Sequence, residues 1–164
     1  MGARVHPPSR RSGAATLPAF DGGHLTARPV RVLWSHDVVG QTRGYWAIGV
    51  ALHRAGCEVV LGGPQTPDEV AEAALQEQVD VVGYRALGDD AGVRVRGVLA
   101  ALASLGKPGA PAPPLAAAGI LEDEADALRV AGVREVFGIL TPVDEIAAQL
   151  RALGEATATA REST

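Results

Sequence analysis

Five short apolar runs, each followed by a stretch with helical spacing, constrain this chain more than any other feature. The runs are Val30 to Trp34, Glu58 to Leu61, Asp80 to Tyr84, Leu115 to Ala118 and Arg134 to Phe137. Parallel neighbours need crossover connections, so strict alternation predicts a parallel sheet with helices on both faces. The Asp80 to Tyr84 run (DVVGY) is nearly continuous in apolar residues, as a parallel strand covered on both sides should be. The fold class expected is α/β, a flavodoxin-like (Rossmann-like), doubly wound, five-stranded parallel sheet of order 2-1-3-4-5.

The stretches between the runs support this reading. Gly44 to Arg54 places Ile48, Ala51 and Leu52 on one helical face and meets a stop at Gly56. Thr66-Pro67-Asp68-Glu69 starts the next helix, with Thr66 as cap, Pro67 in the first turn and Glu69 closing a capping box. Gly92 to Leu105 carries the stripe Val95, Val98, Leu99, Leu102, and Asp123 to Val130 is helical. Thr141-Pro142-Val143-Asp144 repeats the capping logic for a last helix ending near Leu153. Residues 28–153 form the expected domain. Residues 1–27 read as a disordered or irregular tail broken by Gly and Pro, and residues 154–164 as a fraying one.

Composition removes several function classes. The 164 residues are 47% apolar and 21% charged, enough for one domain with a real core. A net charge of −4 argues against nucleic acid or an anionic membrane as partner. No apolar run approaches the ~20 residues of a membrane span. The single cysteine, Cys57, excludes an internal disulfide framework or a cysteine-based zinc site and reads as an inert buried thiol. No secretory signal is visible in the first 28 residues, so the expected location is the cytoplasm.

In a doubly wound sheet the ligand crevice opens at the carboxyl ends of the strands, where the order reverses. Here the loops after Trp34 and Tyr84 face each other, joined by the loop after Ala118. Candidate chemical residues there are His36, Asp37, Tyr84, Arg85 and Asp89, with Asp90 beside them. Histidine can act as a base near neutral pH. His36 and Asp37 are adjacent in an extended segment, so they point to opposite sides and need not touch. Arg85 has two open roles: binding a carboxylate or phosphate, or pairing with Asp89 or Asp90. Trp34 and Trp46 read as core or rim packing, and His53 as a residue near a helix C-terminus.

The order of these segments resembles the cobalamin (vitamin B12)-binding domain of the methylmalonyl-CoA mutase type, over roughly Arg28 to Leu153. The stretches that carry the resemblance are Arg43-Gly44, Gln65-Thr66-Pro67-Asp68-Glu69, Asp80-Val81-Val82-Gly83, Ala131-Gly132-Val133, and Val136-Phe137-Gly138 followed by Thr141-Pro142. The resemblance implies positions for the cofactor: Gln41, Arg43 and Gly44 in the first loop, Arg85 and Leu87 after the third strand, and Gly119 after the fourth. The chemical residues at those positions are exchanged. The family's first loop reads Asp-x-His-x-x-Gly, its His coordinating cobalt and its Asp orienting that His. Here Val39 stands in the Asp slot and Gln41 in the His slot, and the glycine is kept as Gly44. The family's Ser-x-Leu, which lines the slot for the cofactor's nucleotide tail, is Arg85-Ala86-Leu87. Its Gly-Gly is Ala118-Gly119, and its Pro-Gly is Ile139-Leu140.

The resemblance therefore implies a small subunit of a B12-dependent acyl-CoA mutase, with cobalamin binding weak, His-off or lost and no protein metal ligand. The substrate-holding barrel of such enzymes would sit on a separate large subunit; self-association is the other partner expectation. A different class of function is also open: a cofactor-free enzyme reusing the crevice for acid/base or electrostatic catalysis on a small molecule.

Overall fold

The computed structural model describes residues 15–17, 28–37 and 42–163. Its elements run β1 (Ala15–Leu17), β2 (Arg31–His36), α1 (Arg43–Arg54), β3 (Glu58–Pro64), α2 (Pro67–Glu77), β4 (Val81–Arg85), α3 (Ala91–Ala103), β5 (Leu115–Ile120), α4 (Glu122–Ala131), β6 (Glu135–Gly138) and α5 (Val143–Glu162). The strands form one sheet in the order β1-β3-β2-β4-β5-β6. Strands β3, β2, β4, β5 and β6 are mutually parallel and reproduce the expected flavodoxin-like order.

Two features depart from the sequence pattern. The sheet has a sixth strand: β1 lies antiparallel to β3, with Ala15 opposite Leu61 and Leu17 opposite Val59. It falls within the stretch expected to be irregular. An edge strand leaves a row of backbone groups open, and three residues suffice to cover part of it, yet three residues are too few to show an alternating pattern. The second departure is α5, which continues to Glu162 instead of ending near Leu153 and fraying. Gly154, just past the expected end, is a close-approach site inside the helix: a Cβ there would come 2.2 Å from Val30 Cγ1. Beyond it, Arg161 ties the helix down through Asp80 at 3.2 Å.

Helices α1 and α5 pack on one face, and α2, α3 and α4 on the other. Alternation along β2 feeds both cores: Val32 and Trp34 join Tyr45, Ile48, Leu52, Ile146 and Leu150, while Leu33 joins Val70, Val95, Val98 and Leu102. The expected capping box at Thr66 and Glu69 is present and starts α2. At the amino edge of the sheet, the buried Asp80 carboxylate accepts from Arg31 N (2.8 Å), Arg28 Nη2 (2.8 Å) and Arg161 Nη1 (3.2 Å). Among the described residues no helix is long and apolar enough to cross a membrane.

Candidate functional site

The central strands β2 and β4 run parallel, and the chain leaves them towards opposite faces, to α1 and to α3. This is the switch point. The register pairs His36 with Arg85 and Arg85 with Ala118. Asp37 N donates to Arg85 O at 3.1 Å, and Ala86 N to Ala118 O at 3.0 Å. His36, Asp37, Tyr84 and Arg85 are thus brought to one edge, as the topology required. Asp89 and Asp90 are exposed in the loop that follows.

One wall of the crevice is a hydrogen-bonded aromatic pillar. Trp34 Nε1 donates to Tyr45 O at 2.8 Å, and the Tyr45 hydroxyl donates to Trp34 O at 3.0 Å while accepting from Gly63 N at 3.0 Å. The two rings stack at 5.7 Å. His36 is buried, its ring edge-on to Tyr45 at 4.5 Å. Trp46 lies outside, half exposed, against the other side of Tyr45. Burial raises the Tyr45 hydroxyl above its ordinary value. Tyr84 is also buried and donates to Gln65 O at 3.2 Å. Burial first, then the Asp37 carboxylate, pushes its hydroxyl up to about 12 against the opposing charge of Arg94. Both phenols stay protonated near neutral pH, as donors with backbone partners.

The charged groups form a second constellation. Asp37 has a side chain only 4% exposed and is bonded by Arg94 Nε from α3. The same guanidinium donates through Nη2 to Leu87 O. Arg94 is a site residue that sequence reasoning missed; its one signal is the pair of arginines, Arg94 and Arg96, on an otherwise apolar helix. Asp37 also acts on Arg85: burial lowers the guanidinium's pKa and Asp37 raises it again.

Two of the glycines at positions implied by the resemblance lie against side chains of this chain. The Arg85 guanidinium lies against the first turn of α1, where a Cβ on Gly44 would meet Nη2 at 2.7 Å. Leu87 covers Gly119, where a Cβ would meet both Leu87 Cδ2 and Ala86 O at 2.7 Å. Gly119 has φ +83°, a conformation that strains any residue with a side chain. Arg43 is exposed at the start of α1. Gln41 and Val39 lie outside the described residues. No group of three His, Cys, Asp or Glu side chains is placed to hold a metal among the described residues.

Other candidates lie away from this edge. Cys57 is buried just before β3, and burial pushes its thiol up to about 11, which makes it inert. An open groove of about 1520 Å³ runs along the opposite, amino edge, lined by Arg28, Arg31, Leu75, Leu99, Arg134 and Arg161. Three of its arginines are already engaged by Asp80 and Glu58. The crevice at the carboxyl edge, where doubly wound sheets bind ligands, is the candidate site.

No family model matches the chain. It is 37% identical over 128 residues to the 2-hydroxyisobutanoyl-CoA mutase small subunit of Aquincola tertiaricarbonis, covering 76% of this chain and 92% of that one. It is 36% identical over 137 residues to the pivalyl-CoA mutase small subunit of Xanthobacter autotrophicus, covering 80% and 88%. Among solved structures it superposes on the methanol:cobalamin methyltransferase complex MtaBC from Methanosarcina barkeri. The TM-score is 0.61 at 18% identity, over 87% of this chain and 54% of that one. It also superposes on a response regulator protein from Burkholderia multivorans, with a TM-score of 0.51 at 16% identity over 77% and 95%. At these identities the two structures bear on the fold alone.

Proposed function

The chain belongs to the family of B12-dependent acyl-CoA mutase small subunits, with a B12-binding domain of the mutase type, and we propose that it is a docking subunit whose crevice binds cobalamin weakly or not at all. The observation that carries this reading is the filled crevice. Arg85 stands where the family has a small Ser beside the cofactor's tail, and its guanidinium lies against Gly44, so a bulky side chain of the protein itself occupies that part of the crevice. The donor set points the same way. The position matching the family's cobalt ligand is Gln41, whose carboxamide offers no imidazole nitrogen. The ring of His36 is buried against Tyr45. The residues present do not fit cobalamin held His-on.

The partner is a large subunit of the acyl-CoA mutase kind. The edge of the sheet around the crevice exposes Trp46, Leu121, Ile139, Leu140 and Val143, apolar side chains suited to burial against another protein. Ile139 and Leu140 are the bulky replacements for the family's Pro-Gly, and Leu140 is 94% exposed.

The cofactor-free enzyme has less support. A catalytic set needs groups poised to take up or release protons. Here the Tyr84 hydroxyl is held protonated, and Asp37 is engaged by Arg94.

Titration of the purified chain with hydroxocobalamin and with adenosylcobalamin tests the proposal. The expected result is no stoichiometric complex by gel filtration and visible absorbance. A tight one-to-one complex would overturn it.

A further inference from the structure

One side chain bridges the exits of β2 and β4. Arg94 reaches them from α3, on the face of the sheet opposite α1. Its Nε bonds the Asp37 carboxylate just past β2, and Nη2 of the same guanidinium donates to Leu87 O just past β4. The Asp37 side chain is 4% exposed and that of Arg94 29%, so the pair is largely shielded from water. Charge-assisted bonds of this kind are stronger than neutral ones, and a planar fork serves two acceptors at once where a single ammonium does not. The backbone ladder reaches one residue beyond each strand here: Asp37 N donates to Arg85 O at 3.1 Å, and Ala86 N to Ala118 O at 3.0 Å. Beyond those bonds, Arg94 ties the two segments together.

We propose that Arg94 is a positioning residue of the crevice: by joining Asp37 to Leu87 it holds the two crevice walls as one unit. Onward from Asp37 the chain carries Gln41 and Gly44, and Leu87 lies against Gly119. The bridged segments are therefore those that carry the positions implied for a ligand, and Arg94 acts through them without touching it. The inference rests on the reading of this edge as the ligand crevice and gives α3 a part in it. A wall already in place need not be ordered on binding, whereas a loose wall lowers apparent affinity in proportion to the time it spends out of place.

The first test needs no ligand and uses three variants of the full chain. Arg94→Met removes both arms of the bridge. Asp37→Asn combined with Arg94→Met does so without leaving a buried, unpaired carboxylate, and it carries the test should Arg94→Met fail to fold. Arg94→Lys keeps the charge opposite Asp37 but loses the fork. Amide hydrogen exchange is followed by nuclear magnetic resonance. In the first two variants the Asp37 and Ala86 amides should exchange about tenfold or more faster. The amides of Asp80 and Val82, bonded to Arg31 O (2.8 Å) and Pro114 O (2.9 Å) at the far end of the sheet, should keep their rates. An ion pair that only stabilised the fold would speed both ends alike, through global unfolding. That outcome, or no change at either end, would overturn the bridge. Arg94→Lys should loosen Ala86 and leave Asp37 protected; equal loosening of the two would also count against a bridge with separate arms.

The second test reads the crevice itself, in the Arg85→Ser background, with hydroxocobalamin as probe. Adding Arg94→Met, or the double substitution, should weaken binding about tenfold or more, and adding Arg94→Lys should weaken it less. Unchanged affinity alongside loosened walls would overturn the positioning role. No gain of affinity in Arg85→Ser over the wild type would instead count against the proposed function's account of Arg85, and the exchange comparison would still judge the bridge.

Discussion

Trp34 and Tyr45 exchange hydrogen bonds across the gap between β2 and α1: the indole Nε1 donates to Tyr45 O at 2.8 Å, and the Tyr45 hydroxyl donates to Trp34 O at 3.0 Å. The pair fixes the angle at which α1 leaves the sheet, and with it the position of Gly44. Gly83 on β4 makes the room, since a Cβ there would meet the indole at 2.6 Å. Tyr45→Phe keeps the ring stack but leaves Gly63 N without its acceptor and Trp34 O without its donor. The expected cost is about 1–3 kcal/mol, measured by urea unfolding. An unchanged midpoint would show that water or a backbone shift replaces both bonds.

The amino edge of the sheet makes a separate prediction. Asp80 is fully buried and accepts from two arginines and from Arg31 N. Asp80→Ala leaves that amide unpaired and should cost about 2–4 kcal/mol. Arg161→Ala removes only one of the two guanidiniums, itself 39% exposed, and should cost under about 1 kcal/mol. Equal losses by chemical denaturation would contradict this ranking.

Much of the fold was legible because local signals agreed with the global arrangement. The capping residues Thr66 and Glu69 announced α2, the apolar run at β4 announced a central strand, and alternation implied the parallel order. What escaped had physical reasons. Strand β1 is three residues long and is defined only by the edge it covers. Helix α5 runs past its expected end near Leu153, and Gly154 inside it answers to Val30, distant in sequence. The site divides similarly. Topology predicted that His36, Asp37, Tyr84 and Arg85 would share an edge. It could not predict that Arg94, 57 residues from Asp37, would reach that carboxylate, since the pairing depends on where α3 packs.

Gly154 gives a prediction of its own. Gly154→Ala improves helix propensity by about 1 kcal/mol, but its methyl would overlap Val30 Cγ1 at 2.2 Å. Overpacking should win, for a net loss of about 1–2 kcal/mol. In a Val30→Ala background the loss should vanish or reverse. Thermal unfolding of the four proteins decides it, and a loss unaffected by Val30→Ala would place the strain elsewhere.

The pH dependence follows from buried acids, Cys57 and Tyr84 foremost, with Tyr45 raised in the same direction. Burial raises the Cys57 thiol from 9.0 to about 11 and the Tyr84 hydroxyl from 10.0 to about 12. A raised folded-state value means the native protein keeps protons that the unfolded chain has already lost. The stability is present in full below the unfolded values and is lost as pH rises through the folded ones. Unfolding free energy should therefore fall from about pH 9 to about pH 12. Cys57→Ala should remove the lower part of that fall. A stability that stayed flat across this range would contradict the burial of both groups.

The last prediction concerns the cobalt ligand. Removing Arg85 makes space but supplies no nitrogen, so Arg85→Ser should bind cobalamin without coordination by the protein. Gln41→His adds an imidazole, and Val39→Asp adds the acid that would orient it. The triple variant should therefore bind cobalamin more tightly than Arg85→Ser and take a protein nitrogen onto cobalt. Electron paramagnetic resonance of the Co(II) form separates the cases when the protein is labelled with nitrogen-15. The cofactor's own base carries nitrogen-14 and splits each cobalt line into a triplet, whereas a labelled histidine gives a doublet. The triplet, or no nitrogen splitting, is expected for Arg85→Ser and the doublet for the triple variant. A doublet from wild type or from Arg85→Ser would mean that a native histidine reaches the metal, with His36 turned away from Tyr45, and that the native residues do hold cobalamin His-on.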